Sequence, residues 1–357
     1  MILSISDKKI DYYLDRIDSF DICKPLLCIF IVMIHINPLP QRFSTLITPF
    51  TRISVPMFYL MSGFLFFRKY DRLDDEEEKR LMFRKYIKRL LTMYLFWLLV
   101  FLGPTIEKRW WFHNGILQGL PRFFHSFFFG STFIASWYLM ATMLGMALVL
   151  YLGRYLSERS CLVIAALLYT TGCIFSAHSY LTALPGIGLL NSFWKVVHVN
   201  PCNSIPVGFF WLQLSRVMTK NLNSWLSKLD RSGALPLLGI AAALLLCFEQ
   251  RFARSLGFPA HDDCFFSLVL LVPLLFIAIL RLQITSPHAA IFRKWSSLTY
   301  AAHGSIGYIL YQLCEYFVIP VPSVVRFCLT IVICTLILLL FERLVRHPRL
   351  AWLKNVY

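Results

Sequence analysis

Charge is scarce in this chain and unevenly signed. Asp, Glu, Lys and Arg make up 15% of its 357 residues, and 35 Lys and Arg stand against 19 Asp and Glu. No polar stretch is long enough for a water-soluble domain, no Cys-x-x-Cys pair occurs among the ten cysteines, and there is no repeat period or low-complexity linker. The first absence excludes an extramembrane domain of useful size. The second removes zinc-ribbon and disulfide frameworks, so no metal site is expected and most cysteines read as small apolar packing residues. The third excludes a solenoid, although inverted transporter repeats can be invisible in a single sequence. A cleavable leader is also lacking. Residues 1–19 are polar and the first apolar run already carries Lys24 and His35, which predicts a retained N-terminus.

What is abundant is apolar surface: 58% hydrophobic residues, 32 Phe and a mean hydropathy of +0.63. Such a composition belongs to polytopic membrane proteins. Ten candidate spans lie near 20–37, 52–67, 90–105, 136–153, 160–177, 200–217, 234–248, 264–281, 299–317 and 323–341. Several are shorter than the ~20 residues of a perpendicular span. With the N-terminus inside, the cytoplasmic segments hold 23 Lys and Arg and the outer segments 7, the other five lying in or beside spans. This is the asymmetry of the positive-inside rule, so the net charge of +16 encodes orientation in a lipid bilayer and gives no reason to expect nucleic acid. The predicted fold is a single all-α integral membrane domain over residues 1–357, a polytopic bundle of about ten transmembrane helices, N-in/C-in.

Two ionisable groups occupy places where membrane segments seldom carry any. His35 closes the first apolar run and Arg52 opens the second, with only about fifteen loop residues between the runs, so a base and a permanent cation meet near one membrane surface. On a helical wheel Lys24 and His35 are eleven residues and 1100° apart, 20° from whole turns, roughly 16 Å along the axis. Asp21 falls on the same stripe. For Asp21 and Lys24, mutual pairing in the bundle interior and a functional role are equally open; for His35 function is the preferred reading. Pro25 either starts the regular helix or kinks it.

The first span with its K-x10-H spacing, the second with RISVPMFYLMSGF, the basic YIKRLL entering the third, SWYLMATMLGMAL opening the fourth and SLTYAAHG opening the ninth resemble acyltransferase family 3. That resemblance implies ten-helix bacterial membrane enzymes that move an acyl group, often acetyl, from cytoplasmic coenzyme A to extracytoplasmic glycans or other hydroxyl acceptors. It implies a catalytic role for His35 and aligns Arg52, Ser62 and Gly63 with the motif of the second helix. Lys24 stands where most members have arginine, which keeps the charge and loses the bidentate fork, as in the surface-glycan O-acetyltransferase subgroup. It also matches Arg84, Lys85, Lys88 and Arg89 with a basic motif on the cytoplasmic face, and these four with Lys24 are the residues expected to bind the co-substrate. The expected location is the bacterial cytoplasmic membrane. Acyl-CoA, acetyl-CoA foremost, is the expected co-substrate, with no permanently bound cofactor.

The chemistry agrees. Thioester transfer to an alcohol needs a base for the hydroxyl proton and a donor to the carbonyl oxygen as it gains charge. His35 suits the first role; Arg52 suits the second, or else binds an anionic sugar. Coenzyme A phosphates need cytoplasmic cations, and 68–89 holds nine Lys and Arg, though this run also serves as a topological anchor. Gly63 is read chiefly as a close-packing residue. Trp137 and Tyr138 are either interface anchors or faces for an acceptor sugar. His303 and Tyr300 are expected near the inner end of the ninth span, away from His35, which leaves Glu315 as the residue to orient its imidazole. A secondary transporter or proton-coupled carrier with a buried His/Arg/Glu path is the competing reading. The acceptor, a glycan or lipid-linked sugar, and the oligomeric state are left open.

Overall fold

The computed structural model describes residues 17–109, 112, 115–256 and 263–357. Residues 1–16, and Trp110, Trp111 and His113 of the aromatic outer segment, lie outside the described residues. The described chain is helical throughout and contains no strand.

Helix α1 (Asp18–Ile36) continues across Pro25 and stops at Asn37, which takes the left-handed conformation at φ 49° ahead of Pro38. The short connection expected next is itself a helix, α2 (Gln41–Thr51), and Arg52 is its C-cap. Helix α3 (Ser54–Tyr70) follows. Helix α4 (Glu76–Val100) starts on Asp75, whose carboxylate accepts the Glu77 and Glu78 N–H groups, so the acidic run of this loop caps a helix and complements its dipole. The third expected span is therefore split between α4 and α5 (Leu102–Arg109), with Phe101 at the break.

Helix α6 (Ile116–Phe129) precedes α7 (Trp137–Leu152) and the Ser157-capped α8 (Glu158–Ile174). After a 3-10 turn come α9 (Pro185–Val196) and the 28-residue α10 (Ile205–Ser232), which ends on Gly233 at φ 60°. Helices α11 (Leu235–Ser255), α12 (Leu268–Leu282), α13 (Ala289–Tyr316) and α14 (Ser323–Leu344) complete the bundle. By length and composition, four helical stretches among the described residues could cross a membrane: α1, α2 with α3, α11 and α14. Helices α10 and α13 have 28 residues each, but charged residues interrupt the apolar run of α10 and polar residues such as Ser296, Ser297, His303 and Gln312 dilute that of α13.

Two helix groups organise the interior. Helix α10 packs against α7, α3 and α8, while α13 packs against α1 and α14; α1 and α3 join the two groups. The first group is held close by small residues. A Cβ on Gly208 would lie 2.6 Å from the Ala141 carbonyl oxygen of α7, and one on Gly63 would lie 2.7 Å from Ser215 Oγ of α10. At Gly208 the obstacle is backbone and cannot rotate away. Gly208→Val is therefore expected to destabilise the bundle by about 1–3 kcal/mol, the usual cost of overpacking, read as a lowered melting temperature of the detergent-solubilised protein. An unchanged melting temperature would refute the close-crossing account.

Candidate active site

Both candidate cavities lie between the two helix groups, and α1 contributes to both, with Lys24 at one end and His35 at the other.

The Lys24 cavity measures about 340 Å³, and its walls include Ser62, Tyr86, Arg89, Tyr138, Arg293 and Tyr300. Asp21 is 4% exposed. Its carboxylate meets Lys24 Nζ at 2.7 Å and Arg293 Nη1 at 2.9 Å, so one buried acid steadies two cations. Pairing and lining a cavity thus coexist at Lys24. Three cations against one carboxylate leave the mouth with two positive charges. Ser62 Oγ lies 2.8 Å from the Tyr86 hydroxyl in the same wall. Of the five basic residues expected to hold the donor, Lys24 and Arg89 line the cavity, while Arg84, Lys85 and Lys88 lie elsewhere on α4. Met82, Tyr86, Arg89 and Met93 share one face, which turns Arg84 and Lys88 away and leaves Lys85, one turn before Arg89, at its edge. Arg293 was missed from sequence because α13 begins ten residues before the expected span.

The same early start overturns the expectation for His303. It is the fifteenth of the 28 residues of α13, and its ring centroid lies 5.1 Å from that of His35. Its Nδ1 lies 2.9 Å and 2.8 Å from the Thr299 and Tyr300 carbonyl oxygens. Carbonyls only accept, so Nδ1 carries the proton and Nε2 presents the lone pair. That Nε2 is buried and has no hydrogen-bond partner among the described residues. Glu315 is not brought to His35. It lies twelve residues beyond His303 on the same helix, roughly 18 Å along the axis, and is exposed.

His35 and Arg52 line one cavity of about 80 Å³, with Trp137, Tyr169, Trp211 and Asp263 among its walls. Arg52 Nη1 donates to Asp263 Oδ1 at 2.6 Å, while its Nε is buried without a partner among the described residues. Asp263, 211 residues away in sequence, had no local signal. Its segment is clamped on both sides. Ser176 Oγ accepts the N–H groups of Asp263 and Cys264 at 2.9 and 3.1 Å. Glu249 accepts those of Phe266 and Ser267 at 2.7 and 2.8 Å and meets His178 Nε2 at 2.6 Å. Among the described residues no three His, Cys, Asp or Glu side chains gather as a metal set.

An aromatic partition separates the two cavities. Tyr300 lines both, and its hydroxyl donates to the Ala135 carbonyl. Tyr138 stands 5.1 Å from the Tyr300 ring and 4.5 Å from that of Tyr59. Trp137 and Tyr138, expected together beside an acceptor, are thereby divided. Trp137 faces the His35 cavity and Tyr138 the Lys24 cavity. Successive helical residues point about 100° apart, which separates them.

The sequence profile of the acyltransferase domain family matches residues 17–343, nearly the whole chain. The chain belongs to acyltransferase family 3. The chain is also similar to two proteins of Enterococcus faecalis, each named an amino-acid racemase. One is 28% identical over 185 residues, 51% of this chain and 24% of the relative; the other is 21% identical over 332 residues, 90% of this chain and 45% of the relative. The chain thus spans less than half the length of these relatives. No solved structure matches it.

Proposed function

We propose that this membrane acyltransferase takes an acyl group, acetyl foremost, from acyl-CoA in the Lys24 cavity and delivers it to a hydroxyl of an extracytoplasmic glycan or glycolipid in the His35 cavity. In this reading α1, α3, α4, α7, α8 and α10–α14 cross a bacterial cytoplasmic membrane with both termini inside, which puts the Lys24 mouth on the coenzyme A side. The observation that carries the reading is the pairing of a cationic cavity with a histidine cavity at opposite ends of one helix, on either side of a thin aromatic partition.

Lys24, Arg89 and Arg293 would hold the phosphates of the donor. The extended pantetheine arm is long enough to follow α1 past Tyr300, roughly 16 Å from Lys24 to His35. There His35 takes the proton of the acceptor hydroxyl as its oxygen attacks the thioester carbonyl carbon. The C–S bond breaks, and the imidazolium returns the proton to the departing thiolate. Arg52, fixed by Asp263, donates to the carbonyl oxygen as charge grows there. His303 is a positioning residue, its tautomer fixed by two backbone carbonyls and its ring packed 5.1 Å from that of His35. A carrier also fits a partitioned path, but three cations at a single mouth favour a phosphate-bearing donor.

The test supplies proteoliposomes with radiolabelled acetyl-CoA and extracted cell-envelope glycan and follows the label. Label in the glycan, esterified and alkali-labile, is expected with the wild type and absent with His35→Ala. Equal incorporation by the two, or none by the wild type, would overturn the proposal.

A further inference from the structure

Arg52 is a wall of two chambers. Beyond the His35 cavity, on its other side, lies a second chamber of about 220 Å³, formed by the end of α1, the face of α2 and the end of α11. Arg52 and Ile34 belong to both linings, so the two chambers adjoin. The polar groups of the second are Asn37, Ser44, Thr48, Thr51, Arg52 and Arg254, and no carboxylate of the described residues lines it.

These groups divide by what they can offer. The hydroxyl hydrogens are committed locally: Thr48 Oγ1 donates to Ser44 O at 2.6 Å, Thr51 Oγ1 to Thr48 O at 2.7 Å, and Ser44 Oγ to Asn37 Oδ1 at 3.1 Å. What remains on those three oxygens is lone pairs, which suit the hydroxyl hydrogens of a polyol. The guanidiniums suit an anion. Arg52 keeps a buried Nε without a partner among the described residues. Arg254 is steadied by Gln250, which is 1% exposed; with its amide turned to satisfy both neighbours, Gln250 accepts from Arg254 Nη2 at 3.2 Å and donates to Thr45 O at 3.3 Å. A neutral polyol would make no use of two guanidiniums, and an apolar chain would make use of neither these nor the hydroxyl lone pairs.

We propose that this chamber is an acceptor subsite and that the acceptor is an anionic polyol, a sugar or glycerol unit carrying a carboxylate or phosphate, held so that a neighbouring hydroxyl reaches His35. The inference rests on the acyl-transfer reading for its role as acceptor site, but the anion preference does not. Specificity would lie in Arg254, while Arg52 serves both chambers.

The test measures binding by calorimetry to the full chain in phosphatidylcholine nanodiscs, with no acyl donor present, using methyl glucuronide against methyl glucoside. The glucuronide is expected to bind about tenfold tighter or more, the effect of a charge-assisted hydrogen bond. Arg254→Gln should shrink the ratio to about twofold or less, and Arg254→Lys, which keeps the charge on a similarly exposed side chain, should restore much of it. Equal binding of the two sugars by the wild type, or a preference that survives Arg254→Gln, overturns the proposal. Replacing part of the lipid by phosphatidylglycerol separates the sources of the anion: weakened glucuronide binding assigns the chamber to a lipid-borne headgroup, unchanged binding to a soluble glycan. An anion preference in a protein that transfers no label would sink the acyl-transfer reading alone.

Discussion

His35→Ala is expected to lower the transfer rate by roughly 10²- to 10⁴-fold with little change in the KM for acyl-CoA, because a general base acts on the transition state and not on donor binding. The site supplies the reasons. His35 lines the same cavity as Arg52, and its ring lies 5.1 Å from that of His303. The Lys24 cavity, where the donor phosphates would sit, is on the other side of Tyr300 and loses nothing in this variant. His303→Ala should also slow transfer, by a smaller factor, since His303 acts through His35. The double variant should then be no slower than His35→Ala alone, the non-additivity of residues that act as a unit. Stopped-turnover assays on purified protein measure all three. A His35→Ala enzyme that keeps half its activity would show that the imidazole is structural.

What could be read in the sequence was local and periodic. The wheel arithmetic on α1 put Asp21, Lys24 and His35 on one stripe, and that stripe connects the two cavities. Arg52 was legible because a charge at the start of an apolar run stands out. What escaped was long-range or hidden by polarity. Asp263 reaches Arg52 across 211 residues, and Arg293 reaches Asp21 across 272. Hydropathy placed the start of α13 near residue 299 because Arg293, Lys294, Ser296 and Ser297 dilute its first turns. That misplacement alone sent His303 to the wrong level and left Glu315 as a substitute. The basic run on α4 was treated as one patch, though helical periodicity already turned Arg84 and Lys88 away from the face that Arg89 shares with Met82 and Met93.

That distinction gives a second large effect. Arg89→Gln and Arg293→Gln should each raise the KM for acyl-CoA about tenfold or more, since a hydrogen bond between charged groups contributes about 1.5–3 kcal/mol. Together they should reach roughly a hundredfold, less if the phosphate shifts toward Lys24, because neighbouring charges couple. Arg293→Gln leaves the Lys24–Asp21 pair at 2.7 Å in place, so the fold at this end should persist. The triple variant of Arg84, Lys85 and Lys88 to Gln is the contrast. Those side chains do not line the cavity, and solvent and salt screen their charges from a donor held there, so the KM should move by about twofold or less. Initial rates against acyl-CoA concentration at fixed acceptor and two salt concentrations decide the matter. Should the triple variant lose as much affinity as the Arg89/Arg293 pair, the donor is held by the diffuse charge of the whole cytoplasmic loop and not by the cavity at the mouth of α1.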